Sequence, residues 1–103
     1  MSSIKFHGGD NEGVFIVETF ADANTLLRSH KHTHPHLSVL VSGTADVTID
    51  GKTERLSGYQ MLTIPANTKH QVIAITNIVW LCIWKDNVDT YELAKESLKL
   101  IKA

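Results

Sequence analysis

Four histidines fall at positions 30, 32, 34 and 36, within Ser29-His30-Lys31-His32-Thr33-His34-Pro35-His36, and another follows at position 70. Residues i and i+2 of a strand project to one face, so His30 and His32 can aim both imidazoles at a single point. His36 opens the next apolar run after the Thr33-His34-Pro35 bend, and His70 arrives from a distant strand. Neutral imidazole nitrogens at about 2.0–2.1 Å suit zinc, and the same ligand type suits iron, copper and nickel. The chemistry expected is therefore one divalent transition metal held by three or four of His30, His32, His36 and His70. Placed in a small barrel without a metal, four imidazoles would lose solvation and leave ring nitrogens in need of partners. An isolated histidine such as His7 is ordinarily satisfied or solvated and is given no role. His34 precedes a proline, which biases it towards an extended or turn conformation; lining the pocket mouth, supporting the ligands from behind and plain exposure are all open to it.

The segments that must carry these side chains read as short strands. Val14–Phe20, Thr25–His32, His36–Ser42, Thr44–Ile49, Lys52–Leu56, Met61–Ile64, His70–Thr76 and Ile78–Trp84 are rich in β-branched residues or alternate apolar with polar ones. Asp50-Gly51 is a two-residue hairpin signal, since a type I′ turn needs positive φ at both central positions. Eight short strands broken by turn residues are the pattern of a sandwich or barrel. Beyond Asp89 the period changes: Tyr91, Ala94, Leu98 and Ile101 recur at helical spacing, and Asp89 with Glu92 fits a capping box. The spacing predicts a single domain over 1–103, with an all-β barrel over about 13–85 and a C-terminal helix over about 90–102.

Within this frame the chain resembles the cupin family, whose first motif is G-x5-H-x-H-x3,4-E-x6-G and whose second is G-x5-P-x-G-x2-H-x3-N. His30-Lys31-His32 matches H-x-H, His36 falls at the glutamate position, and Gly43 closes the motif. Gly58, Pro65 and His70 follow the second motif, with one extra residue after Gly58. Asn24 and Asn67 replace motif glycines, and Ala74 stands where asparagine would. Asparagine is a mild replacement because it tolerates left-handed backbone. A competing register using His32 and His34 as the pair puts Ser38 at the acidic position and leaves four residues before Gly43. The resemblance implies a double-stranded β-helix (jelly roll) with a metal at His30, His32, His36 and His70; iron, zinc, nickel, manganese or copper would serve.

Other residues are candidates for the pocket around such a metal. Trp80, Cys82 and Trp84 share one strand face, which can border a pocket or belong to the core. Arg28 has the parity of His30 and His32 and, facing inward, would pair with a substrate carboxylate. Glu18, Asp46 and Glu54 occupy polar positions read as solvent-facing, so no general base is evident.

Composition narrows the partners. Ten Lys and Arg against eleven Asp and Glu, interspersed, give a net charge of −1. That balance lacks the footprint of a nucleic-acid or anionic-membrane binder. No apolar run approaches the roughly 20 residues of a bilayer span, and no leader segment is visible, so a cytoplasmic protein is expected. The single cysteine, Cys82, is read as a small buried hydrophobe. Ile78–Trp84 is apolar on both faces, and a strand of that kind is covered on both. A homodimer is the expected cover.

All-neutral ligands would leave the metal's charge uncancelled and favour anionic ligands. By resemblance to histidine-only cupins, the leading expectation is a non-haem metal dioxygenase-type enzyme acting on a small polar or acidic molecule. The alternatives are a non-catalytic module that binds or senses a sugar or organic acid, and a metal-dependent isomerase or lyase.

Overall fold

The computed structural model describes residues 2–8, 13–29, 35–85 and 99–102. Ten strands are seen among them: β1 (Ser3–Gly8), β2 (Val14–Ala21), β3 (Thr25–Ser29), β4 (His36–Ser42), β5 (Thr44–Ile49), β6 (Lys52–Ser57), β7 (Gln60–Ile64), β8 (His70–Ala74), β9 (Ile78–Lys85) and β10 (Lys99–Lys102). They form two five-stranded antiparallel sheets, β1-β2-β9-β4-β7 and β10-β3-β8-β5-β6. Chain neighbours β3 and β4, or β8 and β9, lie in different sheets, which is how residues close in sequence come to face one another across the interior.

Both sheets turn an apolar face inward. Phe15, Val17, Leu40, Trp80, Cys82 and Trp84 come from the first sheet and meet Leu27, Ala45, Val47, Val72 and Ala74 from the second, all buried. Their alternation along each strand is the period of two that the sequence displays.

The outer faces differ. On the second sheet the outer face is stitched between β5 and β6 by polar cross-strand pairs, Thr44 with Ser57, Thr48 with Thr53, and Arg55 with Asp46, and carries Ile73 and Leu26 on β8 and β3. On the first sheet the outer face is polar on β1 and at Glu18, and apolar across the rest of β2, β9 and β4 at Ile16, Phe20, Leu81, Ile83, Leu37 and Val41, of which Phe20, Leu37 and Val41 are clearly exposed.

Turn chemistry follows the sequence signals closely. Asp50 and Gly51 both have positive φ, 51° and 82°, and close the β5–β6 hairpin. Asn24 and Asn67, the two replacements of motif glycines, also sit at positive φ, 69° and 58°. Gly43 is required more strictly: at φ 92° a Cβ there would lie 2.2 Å from the carbonyl oxygen of Asn77.

Three features depart from expectation. The eight expected strands are present, and β1 precedes them outside the expected start near residue 13. In β1, Ile4 packs against the core and Phe6 stacks on Phe15 at 5.8 Å. The expected helix does not run to its last turn, because Lys99–Lys102 pair with β3 as β10. The backbone hydrogen bonds of an open sheet edge there prevail over the helical spacing of Leu98 and Ile101. The rest of that helix, 90–98, lies outside the described residues. Finally, Glu54 is exposed as expected but not on the outer face: it pairs with the core residue Val47, and in an antiparallel ladder paired residues share a face.

Candidate metal centre

His36 is the first residue of β4 and His70 the first of β8, so each leaves the turn that follows a proline-containing segment and points inward from the same end of its sheet. They belong to opposite sheets. Their ring centroids are 5.4 Å apart with the planes tilted by 53°, and the residues are 5% and 7% exposed. Both nitrogens of His36 and Nδ1 of His70 are shielded from solvent. Two imidazoles sharing one ion at about 2.0–2.1 Å per nitrogen would have centroids about 5 Å apart. The observed pair fits that geometry.

The surroundings fix the pair. Trp84 of β9 lies 4.7 Å from His36 and 5.9 Å from Phe15, centroid to centroid. His36 is thus backed by a buried aromatic wall that restricts its ring and excludes water. Two residues along β4, Ser38 is fully buried and donates to Cys82 Sγ at 3.6 Å. Burial pushes the Cys82 thiol up to about 11, opposed by hydrogen bonds from Ser38 and Trp80. Cys82 is therefore a protonated core residue at neutral pH, as its place in the apolar run suggested. A depression of about 440 Å³ at this end of the first sheet is bordered by Gly13, Pro35, His36, Thr63 and Trp84.

The expected site residues divide into groups. His36, His70 and Trp84 come together. Trp80 is buried on the same strand face, opposite Leu40 in the body of the core. Arg28 is in register with Gln71, the row that alternates with the core row of Leu27 and Val72. His30, His32 and His34 lie outside the described residues, and among the described residues no third His, Cys, Asp or Glu joins the pair. His7 is exposed on β1 and bonded to Glu18 at 2.8 Å.

The sequence reading missed the inward side of β6. Ile49 pairs with His70 on one flank and with Lys52 on the other, and Val47 pairs with Val72 and Glu54. Lys52 and Glu54 therefore stand on the same sheet face as His70. The signal was available, because a two-residue Asp50-Gly51 turn sets Lys52 opposite Ile49.

Residues 18–84 match the family described as Cupin domain. No curated protein matches the chain in sequence. Among solved structures, ectoine synthase from P. lautus aligns over 99% of this chain and 77% of its own, with a TM-score of 0.78 and 15% identity. KdgF from Halomonas sp. aligns over 87% and 84%, with a TM-score of 0.74 and 20% identity. An RmlC-like cupin with a double-stranded β-helix fold from Methanocaldococcus jannaschii aligns over 89% and 86%, at 0.74 and 12%. These likenesses are in fold, and with the match across the strands that carry His36 and His70 they agree on one assignment: the chain belongs to the cupin family.

Proposed function

We propose that this protein is a metal-binding cupin in which His36 and His70, with His30 and His32, hold one divalent transition metal and act on a small polar or acidic molecule by dioxygenase-type chemistry. The observation that carries the reading is the buried pair of imidazoles, delivered from opposite sheets to within a shared-ligand distance and backed by Trp84. The fold is common to proteins as different as ectoine synthase and KdgF, so the reaction has to be argued from the site. When bound, the metal supplies Lewis acidity and, if iron, one-electron chemistry with dioxygen. The chain supplies neutral ligands that leave the positive charge uncancelled, which favours an acidic ligand. Trp84 and the apolar interior keep water from the ligand set. A single buried cysteine suits a reducing, intracellular setting.

Elemental analysis of untagged protein tests this directly. Wild type should carry roughly one equivalent of a transition metal, and His36→Ala and His70→Ala should each lose most of it. Metal-free wild type, or unchanged content in both variants, overturns the assignment. Oxygen consumption by the iron-loaded protein on small organic acids then separates turnover from binding alone.

The reading includes a homodimer formed through the outer face of the first sheet. Ile16, Ile83 and Leu37 share one row across β2, β9 and β4, and Leu81 and Val39 share the next with Glu18 of β2. On the second sheet the polar pairs are confined to β5 and β6, while Ile73 and Leu26 continue the same outer row on β8 and β3. A two-fold axis normal to the first sheet's outer face would set each row against its own copy. Five strands at about 4.8 Å spacing and six residues at about 3.3 Å cover about 500 Å² per subunit, near the lower bound for a specific interface.

A further inference from the structure

The free edges of the two sheets, β6 and β7, border a slot of about 280 Å³ lined by Val47, Ile49, Lys52, Glu54, Leu56 and Leu62, together with Thr53. Its floor is apolar, with Val47 and Leu56 in the core and Ile49 and Leu62 packed against it. Its charged side chains are Lys52 and Glu54, which occupy alternate positions on the inner face of β6, as the pairs Ile49–Lys52, Val47–Glu54 and Ala45–Leu56 require. On the outer face of the same hairpin, Arg55 is bonded to Asp46. Among the described residues, Lys52 and Glu54 have no ion pair or hydrogen bond with each other or with a neighbour. Both side chains are exposed at this open edge, and an unmatched cation and anion side by side at the rim of an apolar floor form a recognition surface of mixed charge.

We infer that this slot binds a small amphoteric molecule, one bearing both a carboxylate and a protonated amine, with Lys52 receiving the carboxylate and Glu54 the ammonium. The order follows from the register. Lys52 shares the row Lys52–Ile49–His70, whereas Glu54 is one row further along, in Glu54–Val47–Val72. Two strand spacings, about 10 Å between backbones, separate Lys52 from His70, and Ile49 lies between them. A carboxylate on that row lies between the ammonium of Lys52 and the histidine pair. The mixed-charge slot stands on its own observations; its connection to a metal at His36 and His70 rests on the function proposed above. A mono-acid would leave Glu54 unmatched and a diamine would leave Lys52 so, which is why the molecule carries both charges.

The experiment is an amide-resolved NMR titration of the metal-free full chain with three probes of similar length: 5-aminopentanoate, glutarate and 1,5-diaminopentane. The expected result is saturable shifts at Ile49–Leu56 and Leu62 with 5-aminopentanoate, at least about tenfold tighter than with either symmetric probe. Lys52→Met and Glu54→Gln should each weaken that binding about tenfold, while Arg55→Gln, on the opposite face, should leave it unchanged. Binding without preference among the probes overturns the inference, as do shifts that avoid β5–β7 or persist in the double variant. Inward charges on an edge strand can also serve to block pairing with another chain. If no probe binds and the double variant gains mass in sedimentation, that role replaces the one inferred. Repeating the titration after zinc loading separates the two readings. A protein that takes up metal but binds no amphoteric probe loses only the slot, and one that binds the probe but no metal loses only the histidine centre.

Discussion

Trp84 lies against His36, ring centroid to ring centroid at 4.7 Å, although the two residues come from adjacent strands of the same sheet and are separated by 48 positions in sequence (84 − 36). That contact makes the indole a reporter for anything the imidazole holds. Adding Cu²⁺ should quench indole fluorescence with a midpoint that coincides with metal uptake. Trp84→Phe, which keeps Trp80, should lose most of the quenching while still binding the ion. Equal quenching in wild type and variant would mean that the ion binds away from His36.

Two turn positions at positive φ, Asn67 and Gly43, give three variants of different cost. Asn67, at φ 58°, should tolerate glycine with little change, whereas Asn67→Ala should cost about 1–2 kcal/mol because alanine pays the full left-handed penalty. Gly43→Ala should cost more than either, since its Cβ would meet the Asn77 carbonyl at 2.2 Å. Chemical denaturation ranks the three, and a Gly43→Ala protein as stable as Asn67→Gly would contradict the turn geometry.

Cys82 provides a pH-dependent test in which the sign is fixed. Its thiol is held up to about 11 in the fold, against 9.0 for the free group, chiefly by burial. The folded state therefore binds the proton more tightly than the unfolded state does, and the stability this contributes is complete below about pH 9 and is lost as pH rises towards 11. The loss amounts to at most about 3 kcal/mol. Measured against Cys82→Ala to remove the other groups that titrate there, wild type should lose stability more steeply over that window. Parallel profiles would show that the thiol is not desolvated. At pH 8 the same thiol should react with iodoacetamide only as fast as the chain opens.

Much of the frame was legible because its signals are local. Alternation in Thr44–Ile49 and the Asp50-Gly51 turn specify a hairpin without reference to the rest of the chain. The spacing of His36 and His70 from Gly43 and Pro65 placed both at strand starts, where they are found. What escaped depended on partners distant in sequence. β1 has only Ile4 and Phe6 on its inner face, and it becomes a strand because β2 offers a complementary edge from Ser3–Phe20 to Gly8–Phe15. β10 likewise exists by pairing with β3, and Leu100 and Ile101 fit a strand or a helix equally well until that edge is present. Glu54 is exposed, as its charge suggested, but the hairpin register puts it on the face of Val47, a placement that charge alone does not reveal. At an open edge, a charged side chain can stand on an inner face and still reach water.

The apolar outer face of the first sheet gives the last prediction. Phe20 and Val41 are 38% and 37% exposed on it, so replacing either with glutamate leaves the core untouched. With a footprint near the lower bound for specific association, the dimer should dissociate on dilution into the micromolar range or below, and its sedimentation mass should depend on concentration. Phe20→Glu and Val41→Glu should each hold the protein at 11.4 kDa across that range, with unchanged secondary structure and little loss of melting temperature beyond the dimer's own contribution. Glutamates brought together across a two-fold axis repel as well as lose burial, so the double variant should be monomeric at every concentration reached. A wild type that sediments as a monomer throughout would remove the second copy as the cover of this face. A dimer that survives both substitutions would move the interface to another surface, such as the β7 edge that carries Met61, which is 58% exposed.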